Sequence, residues 1–251
     1  MLVVVIPAYN EEKTVGEVVR RVWESPHPTL SQGERETAGR VRVIVVDDGS
    51  KDGTARVARE AGAIVLNHPI NRGLGAALGT GIEGAIRMQN AECRMQNEPC
   101  VIVTLDADGQ HDPAEIPAMI EPILKGEAEV VIGSRFKETR KQGNKETGVP
   151  WSRQVANFCG NVVTWLLFGI WVSDSQSGFR AFSAGAARKL RLRTSTMEVS
   201  SEIIREIARL KLKMVEVPIT VRYTDYSLSK GQGFRRGLET LWKLIVLRFF
   251  R

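Results

Sequence analysis

An α/β protein built on a doubly wound, mostly parallel sheet is the fold class the sequence predicts, on three observations. Short apolar runs rich in β-branched residues recur over residues 2–6, 41–46, 63–66, 100–105 and 129–132, each closed by polar or glycine sequence. Continuous apolar runs of this length fit strands covered on both faces. Between them lie stretches of helical period: Glu11 to Glu24, Asp52 to Ala61, Gly75 to Arg87 and Pro113 to Leu124. The β and α units therefore alternate. The residues just after the runs are polar and acidic, and a doubly wound sheet binds ligands beyond the carboxyl ends of its strands.

The 251 residues, 43% hydrophobic and 25% charged, fit a single globular domain with a full core and exclude a disordered or fibrous chain. The first run, Met1 to Pro7, has no basic leader before it and reads as a strand rather than a signal peptide. Cys93, Cys100 and Cys159 share no CxxC spacing, so neither a disulfide framework nor a cysteine zinc site is expected, and a reducing cytoplasmic compartment is.

Two segments interrupt the alternation. Ser25 to Arg40 is rich in Pro, Gly, Ser, Thr and charge and reads as an inserted surface loop. Residues 87–98 hold a short repeat, Arg87-Met88-Gln89-Asn90 and Arg94-Met95-Gln96-Asn97, which fits a helix extension or an insertion.

Gln154 to Ser173 carries no charge over 20 residues. Its Asn157, Asn161 and Thr164 favour a helix packed on the sheet, or lying partly at a membrane interface, over a span. The net charge of +6 concentrates at the C-terminus, where residues 205–251 hold eleven basic and four acidic side chains. Phe234 to Arg251 alternates apolar residues with Arg235, Arg236, Lys243, Arg248 and Arg251. That is the pattern of a basic amphipathic helix at a membrane surface.

The strongest chemical signal follows the fourth run, in Asp106-Ala107-Asp108-Gly109-Gln110. Two carboxylates delivered by a strand end suit Mg²⁺ or Mn²⁺, which would hold a diphosphate. An EF-hand loop opening at Asp106 fails, because Pro117 stands where a glutamate is needed. An aspartyl-phosphate phosphatase is a minor alternative. After the second run stand Asp47-Asp48-Gly49-Ser50 and Asp52, with Asp52 read as a helix cap. Asn71 to Gly79 is a glycine-rich turn entering a helix, but Leu78 occupies the third glycine position of a dinucleotide fingerprint, so a NAD site is not expected. The turn fits a close backbone approach or a helix N-terminus beside phosphate.

Val5-Ile6-Pro7-Ala8-Tyr9-Asn10-Glu11-Glu12, Asp47-Asp48-Gly49-Ser50, the Asn71 to Ala77 turn, Asp106 to Gln110, Gly133-Ser134-Arg135 and Ser177-Gly178-Phe179-Arg180 stand in the order found in family 2 glycosyltransferases. Over residues 1–230 the chain resembles that family, and within it the polyprenyl (dolichyl) phosphate mannose synthases. The resemblance implies a GT-A fold over 1–230, with residues 231–251 as a membrane-associating helix. It implies transfer of mannose from GDP-mannose to a polyprenyl phosphate with inversion, on the cytoplasmic face of a membrane. UDP-glucose is the rival donor, and a nonenzymatic membrane- or nucleic-acid-binding module the rival class. It places Pro7, Tyr9, Glu11, Asp48 and Asp106 around the nucleotide sugar, and Asp106, Asp108 and Gln110 around Mg²⁺ or Mn²⁺. It gives Arg135, Arg153, Asn157, Arg222 and Lys230 to the acceptor phosphate, with Asp108 and Arg135 as the catalytic pair. A phosphate monoester, with a second pKa near ~6, arrives already anionic, so no dedicated base is needed. No Gln-x-x-Arg-Trp motif of processive synthases occurs.

Overall fold

The computed structural model describes residues 1–26, 41–92, 100–137, 151–196 and 198–221. Seven strands form one sheet: β1 (Leu2–Ala8), β2 (Val41–Asp47), β3 (Ile64–Asn67), β4 (Val101–Thr104), β5 (Val130–Ser134), β6 (Arg180–Ser183) and β7 (Met214–Pro218). The described helices are α1 (Val15–Glu24), α2 (Thr54–Glu60), α3 (Leu74–Glu92), α4 (Ile116–Leu124), α5 (Trp151–Phe168), α6 (Ala184–Lys189) and α7 (Val199–Leu210), with a 3-10 turn at Pro113–Glu115 ahead of α4. All five expected strands form, within two residues of the expected bounds.

The strand order is β3-β2-β1-β4-β6-β5-β7. Strands β1 to β4 pair in parallel, as do β5 and β7, whereas β6 runs antiparallel to both β4 and β5. The sheet is thus mixed, and β6 and β7 were not among the expected strands. β6 is only four residues long and opens on a buried arginine, so it offers no apolar run to read. β7, at the sheet edge, is half-buried along its whole length.

Alternate residues of the central strands enter two cores. Val4, Ile6, Val43, Val45 and Val103 pack with α1 and α4 residues such as Val19, Val22, Met119 and Ile120. Val3, Val5, Ile44, Val46 and Ile102 pack on the other face with Ala77, Leu78 and Ile82 of α3 and Ile203, Ile204 and Ile207 of α7. Cover on both faces is why these strands read as unbroken apolar runs. Each such side chain contributes roughly 1.5–3 kcal/mol by burial.

Local chemistry sets the element ends. Asn10 takes a left-handed φ of 54°, and Val15 N donates to Glu11 O at 2.9 Å, so α1 starts four residues later than the helical period suggested. The N-cap of α2 is Gly53 and not Asp52 as expected; Asp52, one residue earlier, accepts Thr54 N at 3.0 Å. α3 extends through Glu92, while the second half of the repeat lies outside the described residues. Most of the expected 25–40 loop also lies outside them. Its first residue, Ser25, is buried and donates to Pro113 O at 2.8 Å.

After β1, β2 and β3 are laid on one side, the chain crosses to place β4 on the other side of β1. Such a switch opens a crevice at the carboxyl ends of the strands. The segments after β1, β2 and β4 all end there.

Candidate active site

Asp106 and Asp108 follow directly from β4. Leu105 N donates to Val5 O at 3.0 Å, and Leu105 and Ala107 are buried. These anchors turn the intervening Asp106 and Asp108 toward the crevice. Asp106 lies against Gly178, where a Cβ would overlap its carboxylate, and Thr104 Oγ1 donates to Gly178 O at 2.9 Å. The glycine of the Ser177-Gly178-Phe179-Arg180 motif is therefore a steric requirement of the site. Burial works against the Asp106 charge, but His111 and the nearby Arg180 and Arg135 outweigh it and hold its pKa below the ordinary range. Asp108 goes the other way: burial and the negative charge of Asp106 push it up to about 6. Gln110 N and Nε2 donate to the two Asp108 oxygens at 3.0 and 2.6 Å. Glu11 adds to the upward push on Asp108, so the β1 and β4 loops share one electrostatic field.

Two residues without an expected role complete this corner. His111 is buried, with Nε2 3.5 Å from Asp106 Oδ2, its ring 5.5 Å from that of Phe179, and a buried Nδ1 that has no hydrogen-bond partner among the described residues. Arg180 is buried beneath the acids, and that burial lowers its pKa to about 10 against the pull of Asp106 and Asp174. The sequence signal for both was adjacency: His111 follows Gln110, and Arg180 closes a motif already singled out.

The β1 and β2 ends supply the neighbouring wall. Pro7 pairs with Val46, beyond the last β1–β4 pair at Val5 and Thr104, and Tyr9 just after β1 is exposed. Glu11 N donates to Thr54 Oγ1 at 2.8 Å, and Glu11 Oε2 accepts Thr14 Oγ1 at 2.9 Å. Asp48 is buried, and its oxygens accept the backbone amides of Arg72 at 2.9 Å and Gly73 at 2.7 Å. Its carboxylate thus holds the glycine-rich turn.

That turn is a close backbone approach and not an open helix N-terminus. Gly75 N and Ala76 N at the start of α3 donate to Ser195 O at 2.9 and 3.4 Å. A Cβ at Gly73, whose φ is +91°, would meet Ser195 O, and one at Gly75 would meet Thr194 O. Glu202 of α7 fixes this overlying segment, accepting Thr194 N at 2.9 Å and Arg193 N at 3.0 Å. Leu78 belongs to the core, and Gly81 instead gives the close helix–strand contact, because a Cβ there would strike Val5 Cγ1.

Arg135 follows β5 and pairs with the fully buried Asp174, Nε to Oδ2 at 2.6 Å and Nη2 to Oδ1 at 2.7 Å. Asn157 donates to Ser173 O at 2.9 Å and so braces the loop that carries Asp174. Arg153 lies on α5, but its side chain is outside the described residues, as are Arg222 and Lys230 altogether. Asp106, Asp108, Gln110 and Glu11 are thus brought to one corner, Asp48 lies beneath the adjoining turn, and Arg135 stands beside Asp174.

α5 is turned inside out by the standard of a surface helix. Asn161 donates to Ser173 O at 2.7 Å and accepts Ser175 Oγ at 2.8 Å, and Thr164 is buried. Phe158, Trp165, Leu166 and the following Trp171 are exposed, at 59%, 48%, 69% and 50%. Trp171 meets the Phe158 ring edge-on at 6.2 Å. Among the described residues no helix is long and apolar enough to cross a membrane.

The donor set fits a hard divalent cation. Two neighbouring carboxylates stand together, one of them pushed up to about 6 by burial and by the other's charge. Among the described residues no three His, Cys, Asp or Glu side chains form a closed metal cage. A pair of carboxylates with remaining positions left to diphosphate and water is how Mg²⁺-type ions are bound.

The mixed sheet with an acid pair at its switch point has the arrangement of the GT-A fold. Residues 3–191 match the model of glycosyl transferase family 2, and the chain belongs to that family; it is a glycosyltransferase. It is similar to a UDP-N-acetylglucosamine–dolichyl-phosphate N-acetylglucosaminyltransferase of Methanococcus voltae, 33% identical over 99% of this chain and 96% of the relative. It is also similar to a polyprenol monophosphomannose synthase of Mycolicibacterium smegmatis, 29% identical over 92% of this chain and 80% of the relative. In fold it resembles the Mycobacterium tuberculosis glucosyl-3-phosphoglycerate synthase solved with Mn²⁺, UDP-glucose and phosphoglyceric acid. That likeness has a TM-score of 0.66 and 20% identity, covering 98% of this chain and 77% of the other.

Proposed function

We propose that this glycosyltransferase moves a sugar from a nucleotide-sugar donor to a polyprenyl phosphate at a membrane surface, with inversion and with a divalent cation. The observation that carries the proposal is the Asp106–Asp108 pair at the β1–β4 switch point, one acid held low and the other raised to about 6. Asp106 and Asp108 would hold Mg²⁺ or Mn²⁺, with Gln110 orienting Asp108 as it does through its 2.6 Å contact. When bound, the cation offsets charge on the departing nucleoside diphosphate. Pro7, Tyr9 and Glu11 line the nucleotide side, and Asp48 shapes the turn beside it. Arg135, with its carboxylate partner Asp174, orients the loop next to the acceptor, whose phosphate is anionic and needs no base to attack the anomeric carbon. Arg153, Arg222 and Lys230 are proposed as further phosphate contacts.

The lipid half of the proposal is supported by the relatives, whose names carry dolichyl phosphate and polyprenol. It is supported independently by the exposed aromatic face of α5. Tryptophan and phenylalanine on an exposed helix face suit the bilayer interface. The basic segment 231–251 is proposed as a second, electrostatic membrane contact on the cytoplasmic face.

For the donor, GDP-mannose is the first proposal, supported by mannose synthases among the relatives, including an undecaprenyl-phosphate mannosyltransferase of Micrococcus luteus. A uridine donor is the second reading, supported by the higher identity and fuller coverage of the N-acetylglucosaminyltransferase. Calorimetry with GDP-mannose, UDP-N-acetylglucosamine and UDP-glucose, each with Mn²⁺ and with chelator, separates them. Cation-dependent binding of one donor, followed by transfer to polyprenyl phosphate, is the expected result. Binding of none of them would sink the proposal.

A further inference from the structure

His68 is a buried titratable side chain that the transfer reaction does not use. It follows β3, and its backbone amide donates to Asp47 O at 2.8 Å. Its Nδ1 lies 2.6 Å from Asp48 Oδ1, and its Nε2 lies 3.0 Å from Thr80 Oγ1 on α3. The His68 and Asp48 side chains are 6% and 5% exposed, so water does not take the place of either partner. Both Asp48 oxygens already accept backbone amides, from Arg72 and Gly73. Nδ1 is therefore the donor in the remaining contact, and Nε2 is left to the Thr80 hydroxyl.

The Arg72–Gly73 turn is gripped from two sides. On the far side Ser195 O receives the amides of Gly75 and Ala76. On the near side the turn hangs from Asp48, and Gly49 abuts the backbone of Ile70 and Asn71 so closely that a Cβ would not fit. Rotation of the Asp48 carboxylate would swing the turn relative to the crevice, and the imidazole wedged between Asp48 and α3 stops that rotation.

We propose that His68 is a positioning residue for the donor nucleotide: it locks the Asp48 carboxylate and through it aims the 71–73 turn at the crevice. The inference rests on the reading that a nucleotide sugar occupies that crevice. It assigns His68 to donor binding and not to the chemical step. A histidine serving only the core would lower stability and affect every activity alike.

The test is nucleoside diphosphate binding (GDP and UDP, with Mn²⁺) and steady-state kinetics on the full chain for His68→Leu, His68→Asn and Thr80→Val. A charge-assisted hydrogen bond lost near a ligand-shaping turn weakens binding about tenfold. His68→Leu is expected to raise KM for the donor and Kd for the diphosphate by that factor, with kcat at saturation within about twofold. His68→Asn keeps an N–H that can reach Asp48 and is expected to recover most of the affinity. Thr80→Val, which removes only the outer support, should give a smaller rise in KM. Addition of His68→Leu to Asp48→Asn should cost little more than Asp48→Asn alone, because the two act as one unit. Unchanged KM in His68→Leu, or a parallel loss of kcat and melting temperature that His68→Asn does not rescue, overturns the inference. If the unaltered protein binds neither diphosphate, the donor reading fails first, and this inference with it. If His68→Leu does not fold, the His68→Asn and Thr80→Val pair still decides: donor KM unmoved in Thr80→Val with kcat lowered in both refutes it.

Discussion

Arg135 grips Asp174 through two parallel hydrogen bonds of 2.6 and 2.7 Å, and its own backbone amide donates to the same carboxylate at 3.2 Å. The sequence offered Arg135 as a cation for the acceptor phosphate. The structure gives it a buried anionic partner first, and Asp174 also sits in the field of Arg180. Truncation of one member of such a set leaves a buried charge uncompensated. Asp174→Ala should therefore cost about 3 kcal/mol or more in urea unfolding. Arg135→Lys, which cannot make the two-pronged contact, should lower turnover with a smaller stability loss.

Asp108 predicts a trade between stability and function. Its folded pKa of about 6 lies above the 3.8 of a free aspartate, so the folded state favours the protonated form. The stabilising contribution is complete below about pH 4 and is lost as pH rises through about 6. At neutral pH the cation-free protein holds this carboxylate charged at a cost. Asp108→Asn should then raise the melting temperature of cation-free protein at pH 7, leave it nearly unchanged at pH 3.5, and abolish cation-dependent turnover. Thermal scans at the two pH values check the sign.

Cation binding should carry the same signature. The proton on Asp108 must leave before the carboxylate can ligate, so Mn²⁺ affinity should fall about tenfold per pH unit below about 6. Calorimetry in buffers of different ionisation enthalpy should detect proton release near pH 6 and almost none at pH 8.

Gly178→Ala tests the steric floor under Asp106. A Cβ at that position would overlap the Asp106 carboxylate, and backbone φ there is not in the left-handed region. The expected result is at least about tenfold weaker Mn²⁺-dependent nucleotide binding, equivalent to ~1.4 kcal/mol. Normal cation affinity in a folded variant would show that Asp106 does not need this place.

The two faces of α5 should separate cleanly. Leu166→Glu with Trp165→Ser should reduce partitioning onto anionic vesicles while leaving soluble nucleotide binding unchanged. Asn161→Leu should instead destabilise the fold by roughly 1–3 kcal/mol, because Ser173 O and the Ser175 hydroxyl lose a buried partner.

How much was legible in the chain differs by element. The runs around Val4, Val45 and Val103 announced themselves because strands covered on both faces must be apolar throughout. Asp106, Asp108 and Asp48 stood out because each follows such a run. Asp174, His68 and Arg180 gave no comparable signal, since their partners are 39, 20 and 74 residues away in Arg135, Asp48 and Asp106. α5 was legible as a helix from its length and lack of charge, but not which face would be wet.

By itself the sequence determined the α/β alternation, the location of the crevice at the strand ends, and the acid pair delivered there. These depend on local pattern: hydrophobic period, turn chemistry, and residue type at a strand terminus. Only the tertiary structure decided that β6 inserts antiparallel between β4 and β5, which carries Gly178 and Arg180 to Asp106. It alone decided that Arg135 closes on Asp174, and that Ser195 caps the glycine-rich turn where a phosphate-binding helix end was one expectation. The physical reason is common to all three. Charge pairing, desolvation and close backbone contact depend on distance in space, and the sequence records only distance along the chain.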